Sequence, residues 1–245
     1  MNEDLPIIES TSDCFISVRF GHEIKAEINN KVHNLFKLLS NNSNIGIQDL
    51  IPSYNSVLIQ YNPAELSLSN LNQLIEKHLS ELSSTESEQT IIDIPVLYGD
   101  KYGRDLDYVA EHNNLTTEQV IEIHSNTKYL VYMLGFTPGF PYLGGMDESI
   151  STPRLTTPRI VIPSGSVGIA DKQTGIYPSE SPGGWRIIGR TPLILFNYIQ
   201  DPPSLIMPGD FIRFVPLKSM KEYESISELV KSNKFKPNKN IQNEN

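Results

Sequence analysis

The chain has 245 residues, with 20 Lys and Arg against 29 Asp and Glu, a formal net charge of −9 and a pI near 5.1. An acidic balance argues against a nucleic-acid binder, which needs a basic face to displace counterions from phosphates. The single cysteine, Cys14, excludes an internal disulfide framework and any multi-cysteine zinc site.

At this length the chain forms one large domain or two modest ones and can bury a core without cross-links. The start, MNEDLPIIES, is acidic and broken by proline, so no secretory signal is expected. No apolar run approaches the ~18–20 residues that cross a bilayer. The expectation is a soluble cytoplasmic protein with no membrane and no nucleic-acid partner.

In chain order, Cys14–Phe20 alternates like a strand. Ile24, Ile28, Val32, Leu35, Phe36 and Leu39 recur every three or four residues and predict one helix face. Ser56–Tyr61 is a second strand. Asn62, Pro63 and Glu65 read as the capped start of a further helix that carries Leu68, Leu71, Leu74, Ile75 and Leu79. This order predicts a small sheet with helices on one side. Residues 80–90 are polar and Ser/Glu-rich and read as a linker.

Ile91–Leu97 then predicts a strand, followed by two short helices. Asp105 is the expected cap of the first, and Thr116 with Gln119 forms a capping-box pattern for the second. From Tyr129 the chain becomes short apolar runs cut by Gly and Pro about every ten residues, the pattern of a closed or sandwiched antiparallel sheet. Pro208-Gly209-Asp210 turns into a last strand from Phe211. Residues 231–245 are Lys/Asn-rich and read as a solvated tail. The predicted organisation is a small α+β domain over 10–85, a barrel domain over 90–225 and a flexible tail over 226–245.

Nucleotide fingerprints are absent: there is no P-loop, no Rossmann glycine motif, no HExxH and no GxSxG. Ser125–Lys128 fits S-x-x-K, but the companion motifs of serine acylases are missing. Five scattered histidines give no metal-ligand spacing, so no metal site is expected.

The informative stretch is Tyr129–Arg190. Its glycines let backbone amides approach a ligand. Phe136, Phe140, Tyr142, Tyr177 and Trp185 can wall an apolar pocket, with a few polar groups fixing orientation. The same aromatics equally suit a core or a partner surface, and barrels place Gly and Pro at their turns in any case.

Three strings here, GFTPGFPYLGGMD, TPRIVIPSGSVGIADKQTGIYPSESPGGWRIIGRTP and PGDFIRFVP, resemble the PxpB family of 5-oxoprolinase subunits, also described as the kinase A inhibitor KipI and as allophanate hydrolase subunit 1. FGHEI, Ile28-Asn29 and PSYNSVLIQYNP extend the resemblance over about residues 15–217. Ser164 stands where the family often has alanine.

The resemblance implies an α+β N-terminal domain followed by a mainly-β cyclophilin-like barrel. It also implies one component of an ATP-dependent 5-oxoprolinase, which opens 5-oxoproline to L-glutamate. ATP would be the co-substrate with Mg²⁺, and PxpC-type and PxpA-type subunits the partners. A histidine kinase partner or an allophanate hydrolase role are the alternatives.

The candidate catalytic residues are His124, Arg159 and Arg186. His124 is either a proton-transfer group or a helix-end histidine held by a carbonyl or the dipole. Arg159 and Arg186 suit bidentate binding of a carboxylate or phosphate, with Arg186 able to stack on Trp185. Arg154 and Arg190 have weaker context. The candidate substrate-binding residues are Phe136, Pro138, Phe140, Tyr142, Ser166, Gln173, Thr174 and Tyr177, with Ser166 expected to line an anion nest and Gln173 and Thr174 to bind the lactam amide.

Overall fold

The computed structural model describes residues 6–41, 46–82 and 89–242. The chain divides into two compact units, one ending at Glu88 and one running Gln89–Gln242.

In the first unit, β1 (Ile7–Ser12), β2 (Phe15–Arg19), β3 (Ile47–Pro52) and β4 (Ser56–Tyr61) form an antiparallel sheet in the order β1-β2-β4-β3. Alternation buries one face: Ile16 and Val18 of β2 and Val57 and Ile59 of β4 are closed to solvent. They pack against Val32, Leu35 and Leu39 of α1 (Ala26–Asn41) and against Leu71 and Ile75 of α2 (Leu68–Glu81).

Two boundaries differ from the sequence reading. Ile24 precedes α1 and is exposed. Asn62 heads a separate turn, its side chain accepting from the Ala64 amide, and α2 starts six residues later with Ser67 as its cap. The predicted linker also shrinks, since α2 runs through Glu81 and the next strand begins at Gln89; residues 83–88 lie outside the described residues.

The second unit opens with β5 (Gln89–Tyr98), α3 (Leu106–His112) and α4 (Thr117–Asn126). The capping box at Thr116 and Gln119 is formed on both sides. Then come β6 (Lys128–Gly135), β7 (Phe140–Gly144), β8 (Arg159–Ile162), β9 (Ser166–Ala170), β10 (Gln173–Ile176), β11 (Ser181–Gly183), β12 (Arg186–Arg190), β13 (Phe211–Pro216), α5 (Met220–Lys231) and β14 (Lys239–Gln242).

The main sheet runs β10-β9-β12-β5-β13-β6-β7, with β14 on β5. Its end strands β7 and β10 pack against each other, so the sheet curls into a nearly closed barrel. The antiparallel expectation fails at one pair: β13 lies parallel to β5. These strands are the first and last of the barrel, and a parallel pair needs a long connection between its members. Thr191–Asn197, one of the short apolar runs of the barrel half, forms a loop carrying one isolated bridge, Phe196 to Ser204.

The tail is also corrected. Residues 226–231 complete α5, capped by the Ser219 side chain, and residues 239–242 pair antiparallel with β5. Low apolar content hid this segment, because backbone pairing to an existing edge requires little hydrophobic patterning of its own. No helix among the described residues is long and apolar enough to cross a membrane.

Candidate functional site

The barrel unit has two apolar clusters. The larger joins β5, β6, β13, α3 and α4. The smaller comprises Phe140, Ile162, Ala170, Tyr177, Trp185 and Ile187, and it floors an open cavity of about 200 Å³. Phe140 is its hub. Its ring meets Phe136, Tyr142, Tyr177 and Trp185 edge-on, at centroid distances of 5.5, 5.3, 5.8 and 5.7 Å. Edge-to-face pairs in this range interlock the rings and fix the wall.

Gly175 has a steric reason. A Cβ there would lie 3.0 Å from the Trp185 ring and 3.3 Å from Phe140. Phe136 sits at the mouth on the β6–β7 turn, two-thirds exposed and with φ of 59°. A bulky residue in the left-handed region costs backbone energy, so the turn holds it there against preference.

Two polar side chains reach this cavity, Arg154 and Gln173. The Arg154 guanidinium stands 6.0 Å from the Trp185 ring centroid, and its Nε donates to Asp171 at 3.2 Å. Burial raises the Tyr177 phenol to about 12, so it stays protonated. The cavity can therefore hold a small apolar ring against aromatic walls, with a cation for a carboxylate and an amide for a polar ring edge.

Of the eleven candidate residues, Phe136, Phe140, Tyr142, Gln173 and Tyr177 come together here. The others do not. Pro138, on the β6–β7 turn, lines a separate open hollow with Ser204 and not this cavity.

His124 and Thr174 are core residues, closed to solvent. The Thr174 hydroxyl donates to the Gly168 carbonyl and so accepts from His124 Nε2 at 2.8 Å; Nδ1 then accepts from the Tyr98 hydroxyl at 2.8 Å. Every polar atom of the neutral ring is used. Phe214 stacks on it at 4.4 Å. Burial lowers His124 to about 3 and raises Tyr98 well above the usual phenol range. His124 is thus a closed, fully bonded core group and not a proton-transfer group that faces the cavity.

Arg159 is held by Asp105 through two bonds of 2.7 Å. Asp105 also accepts from the Ile187 amide, and it makes no side-chain cap to α3, contrary to expectation. Its carboxylate does more by tying β8, α3 and β12 together. Arg186 does not stack on Trp185; its guanidinium lies 3.7 Å from the Tyr108 ring centroid, and its Nε donates to the Pro153 carbonyl. Ser166 is buried, and its hydroxyl donates to the Pro163 carbonyl, so it supplies no free donor to the cavity.

Arg154, of weaker context in the sequence, lines the cavity, and Asp105, expected only as a helix cap, is the partner that claims Arg159. For Gln173 and Thr174 the alternation of β10 was the available signal: Gln173 lines the cavity and Gly175 lies against the Trp185 and Phe140 rings, while Thr174 and Ile176 face the core. Among the described residues, no group of three or more His, Cys, Asp or Glu could hold a metal ion.

The profile of the family described as "Carboxyltransferase domain, subdomain C and D" matches residues 6–206. The Bacillus subtilis (strain 168) protein named as the B-type component of 5-oxoprolinase is 41% identical over 232 residues, which is 90% of this chain and 96% of that protein. The chain belongs to the PxpB family of 5-oxoprolinase subunits.

The crystal structure of TTHA0988 is similar with a TM-score of 0.75 and 32% identity, over 87% of this chain and 41% of that longer chain. A urea amidolyase of Lachancea kluyveri is 25% identical over 254 residues, 91% of this chain but 14% of that protein. The strings that carry the family resemblance also build the cavity: Phe136, Phe140 and Tyr142 come from the first, and Gln173, Tyr177 and Trp185 from the second.

Proposed function

We propose that this chain is one component of an ATP-dependent 5-oxoprolinase, contributing the pocket for 5-oxoproline to a site that works only with PxpC-type and PxpA-type partner subunits. The observation that carries this reading is the near full-length likeness to a protein named as part of that enzyme, beside an aromatic cavity of a size that suits a small cyclic acid. The ring methylenes would lie against Phe140, Tyr177 and Trp185, the carboxylate toward Arg154, and the lactam amide toward Gln173.

The chemistry explains the need for ATP. A five-membered lactam is a stabilised amide with a poor leaving group. Transfer of the γ-phosphoryl group to the lactam oxygen, with ADP leaving, makes the ring carbon electrophilic. Water attacks that carbon, and the C–N bond breaks with the ring nitrogen protonated to the amine of an open-chain acyl phosphate. A second water cleaves that acyl phosphate to glutamate and inorganic phosphate. The step needs donors around the phosphates and a site closed to bulk water.

The cavity falls below the roughly 300–1,000 Å³ of sites for drug-sized ligands and is too small for a nucleoside triphosphate. It offers one guanidinium and no acidic cluster, so Mg²⁺ in this reading rides on the phosphates. The groups that move protons would come from the partners.

The test combines the chain with its two partner subunits and follows 5-oxoproline-dependent ADP and glutamate release. Release that depends on this chain is expected; release unchanged by its omission would end the reading. Allophanate in place of 5-oxoproline separates the amidolyase-type alternative, since both are small acids with an amide.

A further inference from the structure

A second opening in the barrel unit is lined by Lys101, Arg104, Arg159 and Arg190, beside Tyr102 and Ser166. Four cations around one cleft are unexpected in a chain of net charge −9. Asp105 neutralises only Arg159. Among the described residues, no carboxylate pairs with Lys101, Arg104 or Arg190. Asp100 and Asp107 flank them in sequence but line no part of the cleft.

The frame is rigid. Residues 99–104 form a tight turn in which the Tyr102 and Gly103 amides both donate to the Gly99 carbonyl. The turn is laced to β12, with the Gly99 amide on the Ile188 carbonyl and the Asp105 amide on the Ile187 carbonyl. Gly103 presses so close to the Ile188 carbonyl that no side chain fits. Tyr102 stacks on Tyr223 of α5 at 4.7 Å. Arg190 is aimed by a 2.7 Å bond from its Nε to the Ser164 carbonyl, which leaves its terminal nitrogens as a fork.

We propose that this cleft is an oxyanion site that seats the phosphate oxygens of a nucleotide. Its inner space of about 20 Å³ admits a single oxygen-sized group but no purine, and the rest of the ligand would lie in the open mouth. Lys101 supplies a mobile point charge, and Arg104 and Arg190 supply forked donors matched to phosphate geometry. The site stands on this geometry alone; choosing ATP over other phosphate compounds rests on the function proposed above.

The experiment is calorimetric titration of the isolated full-length chain with Mg-ATP, ADP, inorganic phosphate and the dicarboxylate glutarate. Saturable, salt-sensitive binding of the phosphate compounds is expected. Lys101→Gln and Arg104→Gln, which break no hydrogen bond in the fold, should each weaken it about tenfold. Arg190→Gln should do the same, with its thermal midpoint checked because its tie to Ser164 is lost. Lys77→Gln, on the other unit, should change nothing.

Tighter binding of ATP than of phosphate assigns the cleft to the co-substrate, and equal binding assigns it to free phosphate; both support an oxyanion site. Absence of binding at millimolar concentration, or binding untouched by the Lys101, Arg104 and Arg190 changes, overturns it. If phosphates bind here while the assembled complex leaves 5-oxoproline intact, the proposed function fails and the cleft stands.

Discussion

Strand β10 separates two environments within four residues. Thr174 points into the barrel and completes the hydrogen bonds of His124, whereas Gln173 lines the aromatic cavity and Gly175 lies against its Trp185 and Phe140 rings. The inner side is closed and fully bonded; the outer side is open, with a guanidinium at its edge. Adjacent residues of similar polarity thus do unlike work. The inner set should govern stability with little effect on ligand affinity, and the outer set should do the reverse.

The sharpest break of that division is Asp105→Ala. It strands the half-buried Arg159 charge and leaves the Ile187 amide unbonded, so urea unfolding should show a loss of about 3–5 kcal/mol. A smaller loss would mean that the pair is solvated and the inner set looser than described.

His124 gives a pH signature. Its folded value near 3 lies below its ordinary 6.5, so between these limits the unfolded chain binds the extra proton. The stability it confers is complete above about pH 6.5 and falls as pH drops toward 3, amounting to roughly 2 kcal/mol between pH 7 and pH 5. Unfolding curves at the two pH values check this, and His124→Gln should flatten the difference.

On the outer side, Arg154→Gln should raise the KM for 5-oxoproline in the assembled complex about tenfold. The thermal midpoint should barely move, because the Arg154–Asp171 pair is solvent-exposed. The smallest effect is Thr116→Ala. It removes a complete capping box far from the cavity and should cost about 1 kcal/mol in unfolding assays without touching KM.

Much of this arrangement is legible in the residues. The periodicity of α1 and β4, the capping box at Thr116 and the Gly/Pro-cut runs of the barrel follow from local chemistry. What stays hidden depends on distant partners. His124 becomes a core residue only because Tyr98 and Thr174 approach from elsewhere in the chain. Arg159 looks like a ligand-binding arginine until Asp105, 54 positions away, claims it. Lys101 and Arg104 belong to no sequence motif, and only the fold sets Arg190 beside them. The tail strand is equally non-local, made by the free edge of β5.

The most direct measurement is a pair of neighbours compared in the assembled complex. Gln173→Ala should raise the KM for 5-oxoproline several-fold while leaving the thermal midpoint close to the parent. Thr174→Val should leave KM in place yet lower stability by about 1–3 kcal/mol, because His124 Nε2 loses its acceptor. A KM that responds to Thr174 and ignores Gln173 would contradict the assignment of the substrate to the aromatic cavity.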